Sequence, residues 1–335
     1  MSSTTNNSKI IEEVVRKNSL ASSLTVTRYT SGIVHDSYDL GNYVLKIEGE
    51  ADFATGVLKY QPEILEKLLS IGTKVPKVFD SGIVDGKQYL LMEKVRGTNI
   101  VHGWMKFDMR QKENFIAQLA EELKKYHSLK FPQYSIPICS GKSFSSLDAA
   151  FKDGALKGLI DFSQIRMDDL SIQQRKDLAY LKNFYDEHIS TLKEENTAVL
   201  VHNDIHLENI FYENEQLTGI IDFDWASYAP KDYELRHMVE TFRYPLYTVE
   251  ERLEPLYENY QMIEEFGFLK KYYPDLFKQN NLATRIRLFY LRKIIGRIED
   301  YQQRIWKGKN IKALEIFSEE MRDIYRTDWL GRLLE

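Results

Sequence analysis

The stretch Val199–Met238 reads VLVHNDIHLENIFYENEQLTGIIDFDWASYAPKDYELRHM. Two apolar runs, Asn209-Ile210-Phe211-Tyr212 and Leu217 to Ile221, flank a polar turn at Glu213 to Gln216. That pattern predicts a β-hairpin. His202-Asn203-Asp204 precedes it, and Asn209 follows five residues after Asp204. Asp222 stands thirteen residues after Asn209. Asn209 opens the first strand and Asp222 closes the second, so the hairpin brings an amide oxygen and a carboxylate to one end. An Asp and an Asn five apart are ordinary turn chemistry. Their combination with His202, His206, two apolar strands and Asp222 is what makes the segment specific.

Phosphoryl transfer asks little covalent chemistry of a protein. It needs a positioned nucleophile and cations that hold the polyphosphate charge. A carboxylate beside an acceptor hydroxyl orients it and takes its proton, and Asp204 is the candidate. Magnesium takes hard oxygen ligands and keeps some waters; Asn209 and Asp222 supply such oxygens. Asp224 reads equally as a second acid near the cation or as a solvated turn residue. His202 reads as loop support. His206 stays open between loop support and a role in the site.

HNDIHLEN resembles the H-x-D-x-x-x-x-N catalytic loop of protein kinases and their small-molecule relatives. It is most similar to the H-G-D-L-H-P-x-N loop of the aminoglycoside phosphotransferase family, which includes choline, homoserine and macrolide kinases. Ile221-Asp222-Phe223 resembles that family's metal-binding I-D-W/F, and Tyr233-Glu234-Leu235 stands where members have Tyr-Asp-Leu. Asn203 replaces the usual glycine. Ser227, Ala229, Pro230 and Lys231 replace a segment often written G-x-G-D-P. The resemblance implies an α+β, two-lobed, protein-kinase-like fold with a small β-rich N-lobe and a larger, mainly helical C-lobe. It also implies magnesium, and ATP or GTP as co-substrate.

Upstream, Tyr43 to Ile47 (YVLKI) is a short apolar stretch that resembles the kinase V-A-I-K strand. A lysine inside an apolar strand needs a partner. Nucleotide phosphates supply one for Lys46; an edge lysine reaching to water is the plainer reading. Kinases hold this lysine with a glutamate on the next helix. Spacing back from Val75-Pro76 puts that position near Gln61, while the nearest acid on the helix is Glu63, taken here as the partner. Acids in a first helical turn also follow from the helix dipole alone. Ser31 and Gly32, in a loop that is not glycine-rich, are expected phosphate contacts or an ordinary turn. LLMEKVRG resembles the lobe hinge, with Met92 behind the base and the backbone of Glu93 and Val95 reading its edge. Backbone contacts do not separate ATP from GTP.

The whole chain fits this outline. Strand patterns cover Leu24 to Tyr29, Tyr43 to Ile47 and the region around an Asp85-Gly86 hairpin; Ile10 to Lys17 and Pro62 to Ser70 have helical spacing. After Gly97 the pattern turns helical, over Met109 to Leu129, over Asp169 to Lys193 and from about Lys231 onward. The expected divisions are a tail over 1–9, a nucleotide-binding lobe over 10–95, and a lobe over 96–335 with the catalytic loop and acceptor helices. The 335 residues carry 45 basic and 50 acidic side chains, net −5. That balance argues against a nucleic-acid partner. There is neither a signal-like apolar N-terminal run nor a membrane-length one. The one cysteine, Cys139, excludes an intrachain disulfide and fits a reducing, cytoplasmic setting.

The acceptor is not legible. Glutamates at 250, 251, 254, 258, 264 and 265 suit a cationic acceptor, or form a solvated face. Tyr290 and Arg292, in the basic region from Arg285 to Arg304, read as packing and surface residues. The expected function is phosphotransfer from a nucleoside triphosphate to a small-molecule hydroxyl, with an aminoglycoside-type acceptor and antibiotic resistance. The alternatives are a metabolite kinase for choline, homoserine, a sugar or an amino alcohol, and a non-catalytic kinase-fold binding protein. A monomer or weak dimer is expected.

Overall fold

The computed structural model describes residues 7–21, 24–29, 34–50, 55–155, 165–193, 197–249, 251–303 and 310–334. Residues 1–6 of the expected tail, together with Ser31 and Gly32, lie outside them. The chain condenses into two compact units. The first gathers the chain through Tyr126 with Asp204–Ala226 and Tyr244–Gln261.

In the first unit, five strands form one antiparallel sheet in the order β1-β2-β3-β5-β4. They are β1 (Thr27–Arg28), β2 (His35–Asp39), β3 (Tyr43–Glu48), β4 (Val78–Val84) and β5 (Lys87–Glu93). Asp85 and Gly86 both take positive φ, +49° and +79°, between β4 and β5. That is the two-residue hairpin expected there, with a turn that matches strand twist. Helix α1 (Ser8–Lys17) starts inside the expected tail and lays Ile10 and Val14 on a core of Leu45, Ile47, Tyr89 and Leu91. Just before it, the buried Asn7 bonds Asp36 (2.7 Å) and Tyr38 (3.1 Å). Helix α2 (Gln61–Ser70) carries proline in its first turn, where no N–H is needed, and buries Gln61, Ile64, Leu65 and Leu68.

A separate sheet has the order β10-β9-β6. It joins β6 (Thr98–Asn99) to the expected hairpin β9 (Ile210–Glu213) and β10 (Gln216–Ile220). The chain leaves β5 through Lys94–Gly97 and enters β6; both sheets lie in the first unit, which runs past the lobe break expected at Glu93–Gly97 to Tyr126. Gly97 has φ +85°, and a Cβ there would lie 2.1 Å from the Tyr212 carbonyl oxygen. Only glycine fits that crossing. Helix α3 (Met109–Tyr126) completes the unit's core with Phe115, Ile116, Leu119 and Leu123.

The second unit holds a small sheet ordered β11-β8-β7. Its strands are β7 (Lys130–Phe131), β8 (Ala198–Val201) and β11 (Ser227–Ala229). The rest is helical, including Ile172–His188, Glu234–Arg243, Leu282–Gln303 and Asn310–Glu320. Ser171 and Gln174 close a capping box at the first of these. Phe289 is fully buried and packs on Phe151 (5.3 Å between ring centres) and Tyr233 (5.0 Å). Arg285 is buried against Asp232 at 2.6 Å. Arg297 pairs with Glu240 and with Glu320 (3.1 Å), and Tyr290 donates to Glu320 (2.7 Å). The architecture is the α+β, kinase-like one: an antiparallel N-terminal sheet followed by a helical C-terminal region.

Candidate active site

The His206–Asn209 loop shapes itself. His206 Nδ1 accepts from the Glu208 N–H (3.3 Å) and caps the turn Leu207–Asn209. The Asn209 side-chain amide lies 3.0 Å from His206 Nε2, and it donates to the Asp204 backbone oxygen (3.0 Å) and carboxylate (3.4 Å). His206 therefore braces the loop, and Asp204 keeps a quarter of its side chain exposed. The Ile221 N–H donates to the Asn209 backbone oxygen (3.0 Å), which ties the loop to the residue before Asp222. The hairpin does bring Asn209 and Asp222 to one end.

In the second unit, one carboxylate holds the loop's first two residues. Glu234 accepts from the backbone N–H of His202 (2.8 Å) and of Asn203 (3.0 Å). Asn203 has φ +64°, a left-handed conformation that suits the glycine it replaces and that asparagine tolerates. The Arg236 guanidinium donates to its Oδ1 at 2.7 Å. The departing segment Ser227–Ala229 is strand β11, paired with Val201–Val199 of β8.

Lys46 sits in the middle of β3, buried, opposite Ser37 on β2 and Leu90 on β5. Its ammonium meets Asp222 Oδ1 at 2.8 Å and Asp224 Oδ1 at 3.2 Å. Burial alone would lower its pKa, but the Asp222 and Asp224 charges outweigh it and hold the amine protonated. Burial, then the Asp224 charge, pushes the Asp222 carboxyl up. Burial acts the same way on Asp224, but Lys46 and His35 reverse it and keep Asp224 ionised. His35 Nε2 lies 3.2 Å from Asp224 Oδ2, and the Gln61 amide donates to Asp224 Oδ1.

Glu63 is not the lysine's partner. It pairs with Lys67 at 2.6 Å, with 68% of its side chain exposed. Gln61 and Glu63 stand two residues apart, about 200° round a helix, so only one faces the sheet. Asp224, Gln61 and His35 are the site residues that sequence reasoning missed or left open. The signal for Asp224 was present in I-D-F-D, but a turn acid carries no mark of burial. Met92 is buried on β5 and Glu93 is exposed at its end. Val95 packs where Gly219 leaves room: a Cβ at Gly219 would lie 2.6 Å from a Val95 methyl. Of the acidic segment, Glu250 lies outside the described residues, Glu258 and Glu264 are exposed, and Glu265 is buried.

The residues present fit a magnesium–nucleotide complex. Two acids, Asp222 and Asp224, share one ammonium at the end of the hairpin. Among the described residues no group of three or more His, Cys, Asp or Glu forms a ready-made metal cage. Magnesium held by one or two carboxylates and phosphate oxygens does not need one.

Solved structures share the fold. Aminoglycoside phosphotransferase APH(4)-Ia aligns over 96% of this chain and 99% of its own, at 14% identity and TM-score 0.64. A thermostable mutant of that enzyme, in a ternary complex with ADP and hygromycin B, aligns over 94% and 97%, at 16% identity and TM-score 0.62. The gentamicin complex of APH(2")-IIa aligns over 95% and 97%, at 17% identity and TM-score 0.64. No curated protein matches the sequence at a significant level. The model of the phosphotransferase enzyme family matches residues 25–263, well over half the chain. The chain belongs to the phosphotransferase enzyme family, as a small-molecule phosphotransferase with a kinase-like fold.

Proposed function

We propose that the chain transfers the γ-phosphoryl group of ATP or GTP, as a magnesium complex, to a hydroxyl of a small molecule. One observation carries the reading. A buried strand lysine meets the acids that follow the hairpin, and the Asp–Asn loop that precedes the hairpin lies at the same end of it. In this reading Lys46 binds phosphate oxygens, and Asn209 and Asp222 hold the metal. When bound, that metal neutralises charge on the β- and γ-phosphates. Asp204 orients the acceptor hydroxyl and receives its proton at a carboxylate oxygen, as the hydroxyl oxygen bonds phosphorus and the diphosphate leaves. The nucleotide base rests against Met92 and meets the backbone of Glu93 and Val95. A nucleoside triphosphate co-substrate and a chain with a single cysteine, Cys139, support cytoplasmic work.

Aminoglycosides are the first acceptors to test, because solved relatives of this fold are named for complexes with hygromycin B, gentamicin and streptomycin. Choline, homoserine, sugars and amino alcohols form a second panel. The test is coupled detection of nucleoside diphosphate release, with and without magnesium, on both panels. Acceptor-dependent, magnesium-dependent turnover is expected. Absence of nucleotide binding at millimolar concentration with magnesium present sinks the reading. Resistance conferred on a susceptible host would assign the aminoglycoside class.

A further inference from the structure

The two acids at Lys46 are not equivalent. Asp222 leaves a third of its side chain exposed and has left-handed backbone, φ +70°. Asp224 is 3% exposed and enclosed by three elements: Lys46 of β3 and Gln61 of α2 donate to it, and His35 Nε2 of β2 lies 3.2 Å away. The acid nearest to Gln61 on α2, Glu63, is turned away to Lys67. Helix α2 thus offers the lysine no carboxylate, only an amide that donates to Asp224.

We propose that Asp224 is the positioning acid of Lys46, held in place by Gln61 and His35, and that Asp222 is thereby left to the metal. The proposal deepens the reading above and rests on Lys46 as a phosphate contact. A buried ammonium needs a fixed counter-charge to keep its place. Asp224 provides one without reaching solvent, and an amide at position 61 suits it, where a carboxylate would repel it. When the metal–nucleotide complex arrives, Asp222 turns from Lys46 to the cation, and the lysine keeps Asp224.

The test moves the charge. Nucleotide affinity and the magnesium midpoint are measured by titration calorimetry on wild type, Asp224→Asn, Gln61→Glu, the double variant of these two and Asp222→Ala, with melting curves to confirm folding. Asp224→Asn should weaken nucleotide binding by about ten-fold or more while the magnesium midpoint stays within about three-fold. The double variant exchanges amide and carboxylate between the two positions, and should return affinity to within about three-fold of wild type. A residue that only supports packing would not be rescued this way. Gln61→Glu alone sets a third carboxylate at the lysine and should weaken nucleotide binding. This single variant keeps the test open if Asp224→Asn does not fold. The proposal is overturned if the double variant binds no better than Asp224→Asn. It is equally overturned if Gln61→Glu alone leaves affinity unchanged or tightens it, or if Asp224→Asn shifts the magnesium midpoint as far as Asp222→Ala does. Wild type that binds no nucleotide would refute the proposed function instead, so the two failures are distinct.

Discussion

Asp204 and Asp222 are carboxylates of the same chemistry in different company. Asp204 meets the amide of Asn209, whereas Asp222 meets an ammonium and lies near a second acid. They should fail differently. Asp222→Ala removes the proposed metal ligand, and nucleotide affinity with magnesium should fall together with turnover. Asp204→Asn keeps size and one hydrogen-bonding oxygen but accepts no proton. Nucleotide affinity should stay within a few fold while kcat drops by roughly 10²–10⁴. Nucleotide titration and single-turnover kinetics on both variants decide it; equal loss of nucleotide binding in the two would refute the division. These residues, with Asn209 and Lys46, were legible in the sequence because each is a chemically restricted type at a fixed distance from an apolar strand. Asp224 was not, since the same letter serves a solvated turn and a buried ion pair. Glu63 was the wrong residue because the buried position in the first turn of α2 is a glutamine, Gln61, while the acid two residues on faces solvent.

At the scale of elements, the joint between the five-stranded sheet and the hairpin depends on glycine. Gly97 and Gly219 each admit a neighbour that a Cβ would strike, the Tyr212 carbonyl in one case and Val95 in the other. Gly97→Ala adds a methyl against backbone, at positive φ. It should destabilise the protein by about 2 kcal/mol or more, from left-handed backbone and overpacking combined. Urea unfolding measures this directly, and a change below about 0.5 kcal/mol would show that the crossing relaxes. The hairpins themselves were legible, since Asp85-Gly86 and the polar Glu213–Gln216 stretch carry turn chemistry. Helix ends were less so. The helix expected over Asp169–Lys193 is α-helical from Ile172 to His188, and its start is set by the Ser171–Gln174 capping box. Strand β1 is two residues long, shorter than the alternation from Leu24 to Tyr29 suggested.

Across the whole molecule, charges are buried in two styles. In the second unit, acids are met by cations: Asp232 by Arg285, and Glu240 and Glu320 by Lys293 and Arg297. In the first, Lys46 faces two acids, Asp222 and Asp224. Matched pairs hold a core together, whereas an unmatched acid is an arrangement for a guest. Glu234 gives the second unit a measurable pH dependence. Burial would raise its pKa, but His127 and the backbone N–H of His202 hold it below the ordinary value of 4.5. A depressed carboxyl contributes stability above its unfolded pKa and loses it as pH falls through the folded one. Wild type should therefore weaken progressively below about pH 4.5. Glu234→Gln should be less stable at pH 7, with a shallower acid slope, so that the two curves converge. Melting temperatures from pH 7 to pH 3 check this; parallel curves would refute it. The N-terminal sheet and the helical C-terminal region were legible as a change from β to helical patterning. The grouping of Asp204–Ala226 with the N-terminal sheet was not, because it depends on pairings such as β6 with β9, more than a hundred residues apart.

Asn203 and Asp222 both hold left-handed backbone without being glycine, a local strain of about 1 kcal/mol each. Asp222 also crowds a second acid. A glycine at either place would ease the chain, but at position 222 it would also remove the acid proposed to hold the metal. In that reading, heat resistance and turnover pull on the Asp222 codon in opposite directions. A directed-evolution campaign scored on melting temperature alone would drift toward an inert protein of the same fold. The same campaign run with magnesium and nucleotide in every well would hold Asp222 fixed.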